Sequence, residues 1–296
     1  MQTANEQTQD TCTTAHQLKS KANFDQIYDQ DDPREYYTVL QSLDYELPRH
    51  MQHAFGQLVT QWAERNGRPP RIFDVACSYG ILASLLRYDD VTFSSLAERY
   101  ASDEMQRMTP EEVVAADREY FAARLRPDAP SICGCDIAGN ALRYGERVGL
   151  LEHGWAINLE TEQPDQHLED ILAQTDIVTV SAAIGYVTDR SIKSILSRIP
   201  LSRTPWFAAF ALRTAPIDPV AHSLRDLGLE LATLTGRTVR QRRFTDDSER
   251  DKALAAIRQR GLQTEGVESD GYWHAALYVG HPPGEDPLPM IELFED

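Results

Sequence analysis

The stretch from Asp74 to Gly80, DVACSYG, is where residue types and spacing first suggest chemistry. Small residues alternate at Ala76, Ser78 and Gly80 directly after a short apolar run. A turn of that kind lets backbone groups approach a ligand closely. Asp136 ends a second apolar run, SICGCD, where a carboxylate can accept hydrogen bonds from ribose hydroxyls. After a third run, Ile157, Asn158 and Leu159 can meet the edge of a base. Together these residues describe a nucleoside holder. It is not of the nicotinamide type, which needs GxGxxG between strand and helix, a pattern this sequence lacks.

A second group of residues bears on whatever reacts. Arg237, Arg240, Arg242 and Arg243 cluster in an acidic chain. Alternation over 238–244 predicts a strand with Arg240 and Arg242 on one side, a fork suited to a carboxylate or phosphate. That points to an anionic small substrate, against the plainer reading of a solvated basic edge. Tyr28, Tyr36, Tyr37 and Tyr45 precede the first strand, and their ring faces could stabilise a cation. Tyr186, after the fourth strand, joins the substrate side. His50 and His53 share a helix face and, with Tyr28, are the candidates to take a proton from a hydroxyl or carboxylic acid acceptor. Two histidines without a third ligand do not make a metal site, so no metal is expected. His274, on the last strand, reads as structural.

The elements that position these residues alternate. Apolar runs at 72–77, 131–135, 155–158, 176–181 and 206–212 read as strands, with helical patterns between them. Near-continuous apolar strands separated by helices indicate a parallel sheet covered on both faces. Thr109 with Glu111 and Glu112 marks a helix start. After a helix at 247–260, residues 262–268 and 272–279 flank Asp270-Gly271 and read as a hairpin that closes the sheet with an antiparallel strand. The organisation is a disordered tail at 1–22, an N-terminal helical lid at 23–68, and one ligand-binding domain at 69–286. Insertions fall at 88–130 and 213–246. The first is read as an extra packed helix or a homodimer contact.

Over 296 residues the formal net charge is −17, which repels nucleic acid backbones and anionic membranes. No apolar run reaches transmembrane length and no signal peptide is visible. Cys12, Cys77, Cys133 and Cys135 form neither a metal pair nor a disulfide framework, which points to a reducing cytoplasm.

The DVACSYG turn, the CGCD strand end, the AINLE segment, TDIVTVSAAIGYV and the terminal helix and strand, in this order, resemble the class I S-adenosylmethionine-dependent methyltransferase family. The likeness spans most of 70–280. It implies a Rossmann-like, doubly wound α/β sheet of seven strands with the last antiparallel, and S-adenosyl-L-methionine as cofactor. By the same resemblance Asp74, Ala76, Ser78 and Gly80 hold the methionine end and Asp136 the ribose. Ile137, Asn158 and Leu159 bound the adenine, and Ser181 lies near the sulfonium. The family turn is usually GxGxG. Here Ala76 and Ser78 stand at the first two glycine positions, and both tolerate positive φ poorly. The implied activity is methyl transfer to a small molecule. The alternatives are cyclisation of the aminobutyryl arm with release of methylthioadenosine, and a non-enzymatic binding module. No DPPY-type signature of nucleic-acid amino-group methylation follows strand four.

Overall fold

A computed structural model describes residues 24–287. The tail expected at 1–22 lies outside the described residues. The strands are β1 (Arg71–Val75), β2 (Ser131–Asp136), β3 (Gly154–Ala156), β4 (Ile177–Ser181), β5 (Trp206–Leu212), β6 (Glu230–Thr233), β7 (Val239–Arg243) and β8 (Tyr272–His281). They form one sheet in the order β3-β2-β1-β4-β5-β8-β6, with β7 also on β8. The first five are parallel, and β8 runs antiparallel to β5. The doubly wound sheet with an antiparallel final strand is therefore present. It has eight strands rather than the expected seven. Ala275 pairs Leu212 on one side and Val239 on the other, while Tyr278 pairs Ala209 and Thr233. Hence β6 and β7 share the outer edge of β8, one after the other.

Alternation along the strands divides the core between two faces. Trp206, Ala208, Phe210 and Leu212 join the cluster under the N-terminal helices, including Leu47–Asn66 and Ile81–Arg87. Phe207, Ala209 and Ala211 join the other, under Gln166–Leu172, Asp189–Leu196 and Asp218–Asp226. All seven residues of β5 are buried, as a strand covered on both faces requires.

The hairpin expected around Asp270-Gly271 does not form. Gly261 and Gly266 both take positive φ, and the Thr264 carbonyl accepts from Val267 and Ser269, so 262–268 curls instead of extending. Glu268 is buried against Arg213. Among the described residues β8 pairs only with β5, β6 and β7. Between the helix Ile81–Arg87 and β2, a bridge from Tyr88 to Leu125 closes off three helices, Phe93–Ala101, Asp103–Arg107 and Pro110–Ala122. Thr109 and Glu112 form the reciprocal cap expected of the last one. No helix among the described residues is long and apolar enough to cross a membrane.

Candidate functional site

The strand order reverses between β1 and β4, which opens a crevice at the carboxyl ends of the parallel strands. The turn after β1 stands there, with φ of 58° at Ala76, 51° at Ser78 and 80° at Gly80. Two L-residues thus hold left-handed backbone, at a cost of roughly 1–2 kcal/mol each. Their neighbours enforce it. Cys77 N donates to Cys135 O at 3.2 Å, Gly80 N to Cys77 O at 2.9 Å, and Ser78 N to Asp136 Oδ2 at 2.8 Å. Ala182, just past β4, is also left-handed at φ 57°. Such strain gathers where function over-determines the backbone.

β2 reaches the turn because residue 134 is glycine. A Cβ there would lie 2.6 Å from Asp74 O and 2.7 Å from Cys77 Sγ. Sequence reasoning gave Gly134 no role. A glycine inside an apolar strand was the available signal for close backbone approach.

Two carboxyls sit beneath the turn. Asp136 accepts from Ser78 N and, through Oδ1, from Ala138 N at 3.0 Å. Burial raises its pKa, these backbone donors oppose the rise, and the charge of Asp29 adds to it. Each carboxylate oxygen keeps a lone pair for a further donor. Asp74 accepts from Thr179 Oγ1 at 2.7 Å. Burial pushes it up to about 7, the Thr179 bond holds it back, and Asp136 pushes it further. Such a site favours a cation. Ser78 Oγ and Ser181 Oγ are buried at its rim with no hydrogen-bond partner. Beside Asp136, Ile137 is 76% exposed, a flat apolar surface without protein cover. Asn158 is exposed, its Oδ1 bonded to Glu160 N at 3.0 Å. Leu159, expected against the adenine, instead packs in the second core cluster.

The N-terminal segment crosses the turn. Tyr79 Oη accepts from Gln30 N at 2.8 Å and donates to Ile27 O at 3.0 Å. Asp29 takes Asn140 N at 2.7 Å, at the start of the helix Gly139–Arg147. Tyr28 and Tyr36 meet edge-on at 5.5 Å, and Tyr36 meets Tyr79 at 5.7 Å. Burial pushes the Tyr28 phenol well above its ordinary value, which makes it a hydrogen-bond donor and not a base near neutrality. Tyr186 is half exposed, within electrostatic reach of Tyr28.

Other candidates sit elsewhere. Tyr37, expected to touch substrate, is buried between Phe93 and Tyr100, both 4.9 Å away, and belongs to the core. His50 and His53 are half-buried on the helix Leu47–Asn66. His274 is structural, bonded to Thr238 at 3.0 Å and Asp270 at 3.3 Å. The strand alternation that put Arg240 and Arg242 on one side fails, because the β7 register shifts between Arg240 and Arg243. Arg240 points outward to Asp270 at 2.9 Å, while Arg242 is buried on Glu249 through bonds of 3.0 and 2.7 Å. Both forks are already filled by acids of the chain. Glu230, His281 and Asp286 bring potential metal-ligand atoms within 4.8 Å of one another where the start of β6 meets the end of β8.

No family model and no curated protein matches the chain. Several solved structures are similar to it. The plantazolicin methyltransferase BpumL, in complex with a pentazolic desmethylPZN analog and SAH, aligns over 92% of this chain and 98% of its own at 7% identity and TM-score 0.46. The plantazolicin methyltransferase BamL aligns over 92% and 98% at 9% identity and TM-score 0.41. Magnesium protoporphyrin IX methyltransferase from Synechocystis PCC 6803, with bound SAM, aligns over 78% and 79% at 12% identity and TM-score 0.35.

Proposed function

We propose that this chain is an S-adenosylmethionine-dependent methyltransferase acting on a small acceptor. The observation that carries the reading is the left-handed turn Ala76–Ser78–Gly80 clamped by Asp136 at the switch point of the sheet. The residues fit the cofactor. The free lone pairs of Asp136 suit ribose hydroxyls, and the exposed face of Ile137 suits an adenine ring. Ser78 Oγ and Ser181 Oγ offer buried partners to its polar methionine arm. Asp136, and Asp74 once ionised, place carboxylates where a sulfonium and an ammonium need negative charge, and a bound cation would in turn favour the ionised form of Asp74.

When bound, S-adenosylmethionine supplies a methyl group already activated by a sulfonium. The protein's task is then alignment and exclusion of water, and alignment alone can contribute roughly 7–11 kcal/mol. The segment over Tyr79 covers the crevice, and Tyr28, held protonated, can orient an acceptor by donating a hydrogen bond. A turn departing from GxGxG at the methionine end would lend cyclisation some support. Ala76 and Ser78 take the φ that glycine would, so that ground is lost. A net charge of −17 argues against nucleic acid as acceptor. The free, buried thiols of Cys77, Cys133 and Cys135 support a reducing compartment such as the cytoplasm.

Calorimetry with S-adenosylmethionine and S-adenosylhomocysteine tests the reading. Asp136→Ala should weaken both about ten-fold or more, through loss of a charge-assisted hydrogen bond of ~1.5–3 kcal/mol. Folded native protein that binds neither would sink it. Recovery of S-adenosylhomocysteine as product, and not methylthioadenosine, confirms methyl transfer.

A further inference from the structure

The bulge where the edge strand β7 meets β8 carries two buried polar side-chain atoms without partners. Arg240 stands opposite His274 and Arg243 opposite Tyr272, so Gln241 and Arg242 together oppose the single residue Trp273. This two-against-one bulge re-aims side chains. Gln241, Arg242 and Trp273 are 3, 1 and 1% exposed, whereas Arg240 and Arg243 are exposed. Glu249 neutralises Arg242. The other two are unsatisfied: Gln241 Oε1 and Trp273 Nε1 are buried with no hydrogen-bond partner. Native proteins leave few such atoms, and an acceptor and a donor orphaned at one bulge call for a ligand.

The bulge lies at the carboxyl edge of the sheet. Leu212, the last residue of β5, pairs Ala275, and Trp273 stands just beyond. The Arg242 guanidinium lies 4.9 Å from the Phe24 ring centroid. It also acts electrostatically on Tyr28 and Tyr45. Through Arg242 the bulge therefore meets the start of the N-terminal segment, and the Gln241 backbone carbonyl accepts from Glu46 N at 2.8 Å.

We propose that Trp273 Nε1 and Gln241 Oε1 form the subsite that reads the methyl acceptor, and that the group they read is neutral and both donates and accepts hydrogen bonds, an amide or an alcohol. This rests on the methyltransferase reading. The chemistry selects the class. With the amide oriented as it is, a carboxylate would set its oxygens against Gln241 Oε1, and the Arg242 charge that would attract it is cancelled by Glu249. An ammonium would face the indole N–H with another donor. An amide or hydroxyl satisfies both groups at once.

The test uses isotope-labelled full-length protein with S-adenosylhomocysteine, and benzamide and benzoate as probes. The indole N–H resonance of Trp273 is assigned by its loss in Trp273→Phe. Benzamide should move that resonance, and Gln241→Met, close in shape, should weaken benzamide about ten-fold, as expected for one lost hydrogen bond. Benzoate should bind about ten-fold more weakly than benzamide, or not at all. An unchanged affinity for S-adenosylhomocysteine in Gln241→Met certifies its fold. A resonance that benzamide never moves, a Gln241→Met variant that binds it as well as native protein, or benzoate binding equally tightly would each overturn the proposal. Protein that takes benzamide at Trp273 but not S-adenosylhomocysteine upholds the subsite and sinks the cofactor reading.

Discussion

Ala76 and Ser78 are held in a backbone state that glycine would occupy without strain. Replacing either by glycine removes roughly 1–2 kcal/mol of left-handed strain. The looser unfolded chain takes back about 0.5–1 kcal/mol. Ala76→Gly and Ser78→Gly should each therefore stabilise the protein, by up to about 1.5 kcal/mol in urea unfolding. A loss of stability would mean that the methyl or hydroxymethyl contributes packing that outweighs the strain. Asp74 makes a second residue-scale prediction. Its ordinary value is near 3.8, and burial lifts it to about 7 in the fold. Between those values the folded protein keeps a proton that the unfolded chain has lost, so stability falls as pH rises through the window and levels off above it. Asp74→Asn, which cannot ionise, should flatten this dependence and be the more stable variant at pH 8, as measured by urea unfolding across the window. The sequence marked the small-residue turn and the two acids because type and spacing are visible there. It could not show the sign of φ, nor that Ser78 and Ser181 lack partners, because those depend on what packs around them.

At the scale of elements, the N-terminal segment is fastened by few bonds. Tyr79 Oη accepts from Gln30 N and donates to Ile27 O, while Asp29 holds the start of the helix Gly139–Arg147. Tyr79→Phe leaves the ring contacts and removes only the hydroxyl. It should cost about 0.5–1.5 kcal/mol. Hydrogen exchange should speed up over 24–32, while β1 and β4 stay protected, since local opening precedes global unfolding. Faster exchange throughout the sheet would show that this segment and the core unfold as one. Periodicity made the parallel strands legible, and β5 reads as buried from its composition alone. It failed on β7, where a single inserted residue breaks the alternation and sends Arg240 outward while Arg242 turns in. It failed again at 262–268, where a helix exit and two glycines imitate a strand between turns.

Across the whole molecule, a buried acid links the three-helix insertion to the helix Gly139–Arg147. Asp117 is fully buried and accepts from Tyr100 Oη at 3.0 Å, Tyr144 Oη at 2.8 Å and Arg99 Nη2 at 3.0 Å. Tyr144 belongs to the helix Gly139–Arg147, whose start meets Asp29, so a single helix connects the insertion with the segment over the crevice. Burial raises the Asp117 pKa, and the hydroxyls and the guanidinium oppose it, as expected of a carboxylate that stays charged only while its donors remain. Asp117→Ala strands those donors in the interior. Removing one partner of a buried ion pair costs about 3–5 kcal/mol, and the 2.9 Å contact between the two tyrosine hydroxyls places this case at the low end. If the insertion is a separately opening unit, exchange in the variant should rise over 93–122 and leave the turn at 76–80 protected, with S-adenosylhomocysteine binding retained. If affinity falls with stability, the insertion sets the geometry of the crevice through Tyr144, and the molecule works as one cooperative body from its outermost helix to the strand ends.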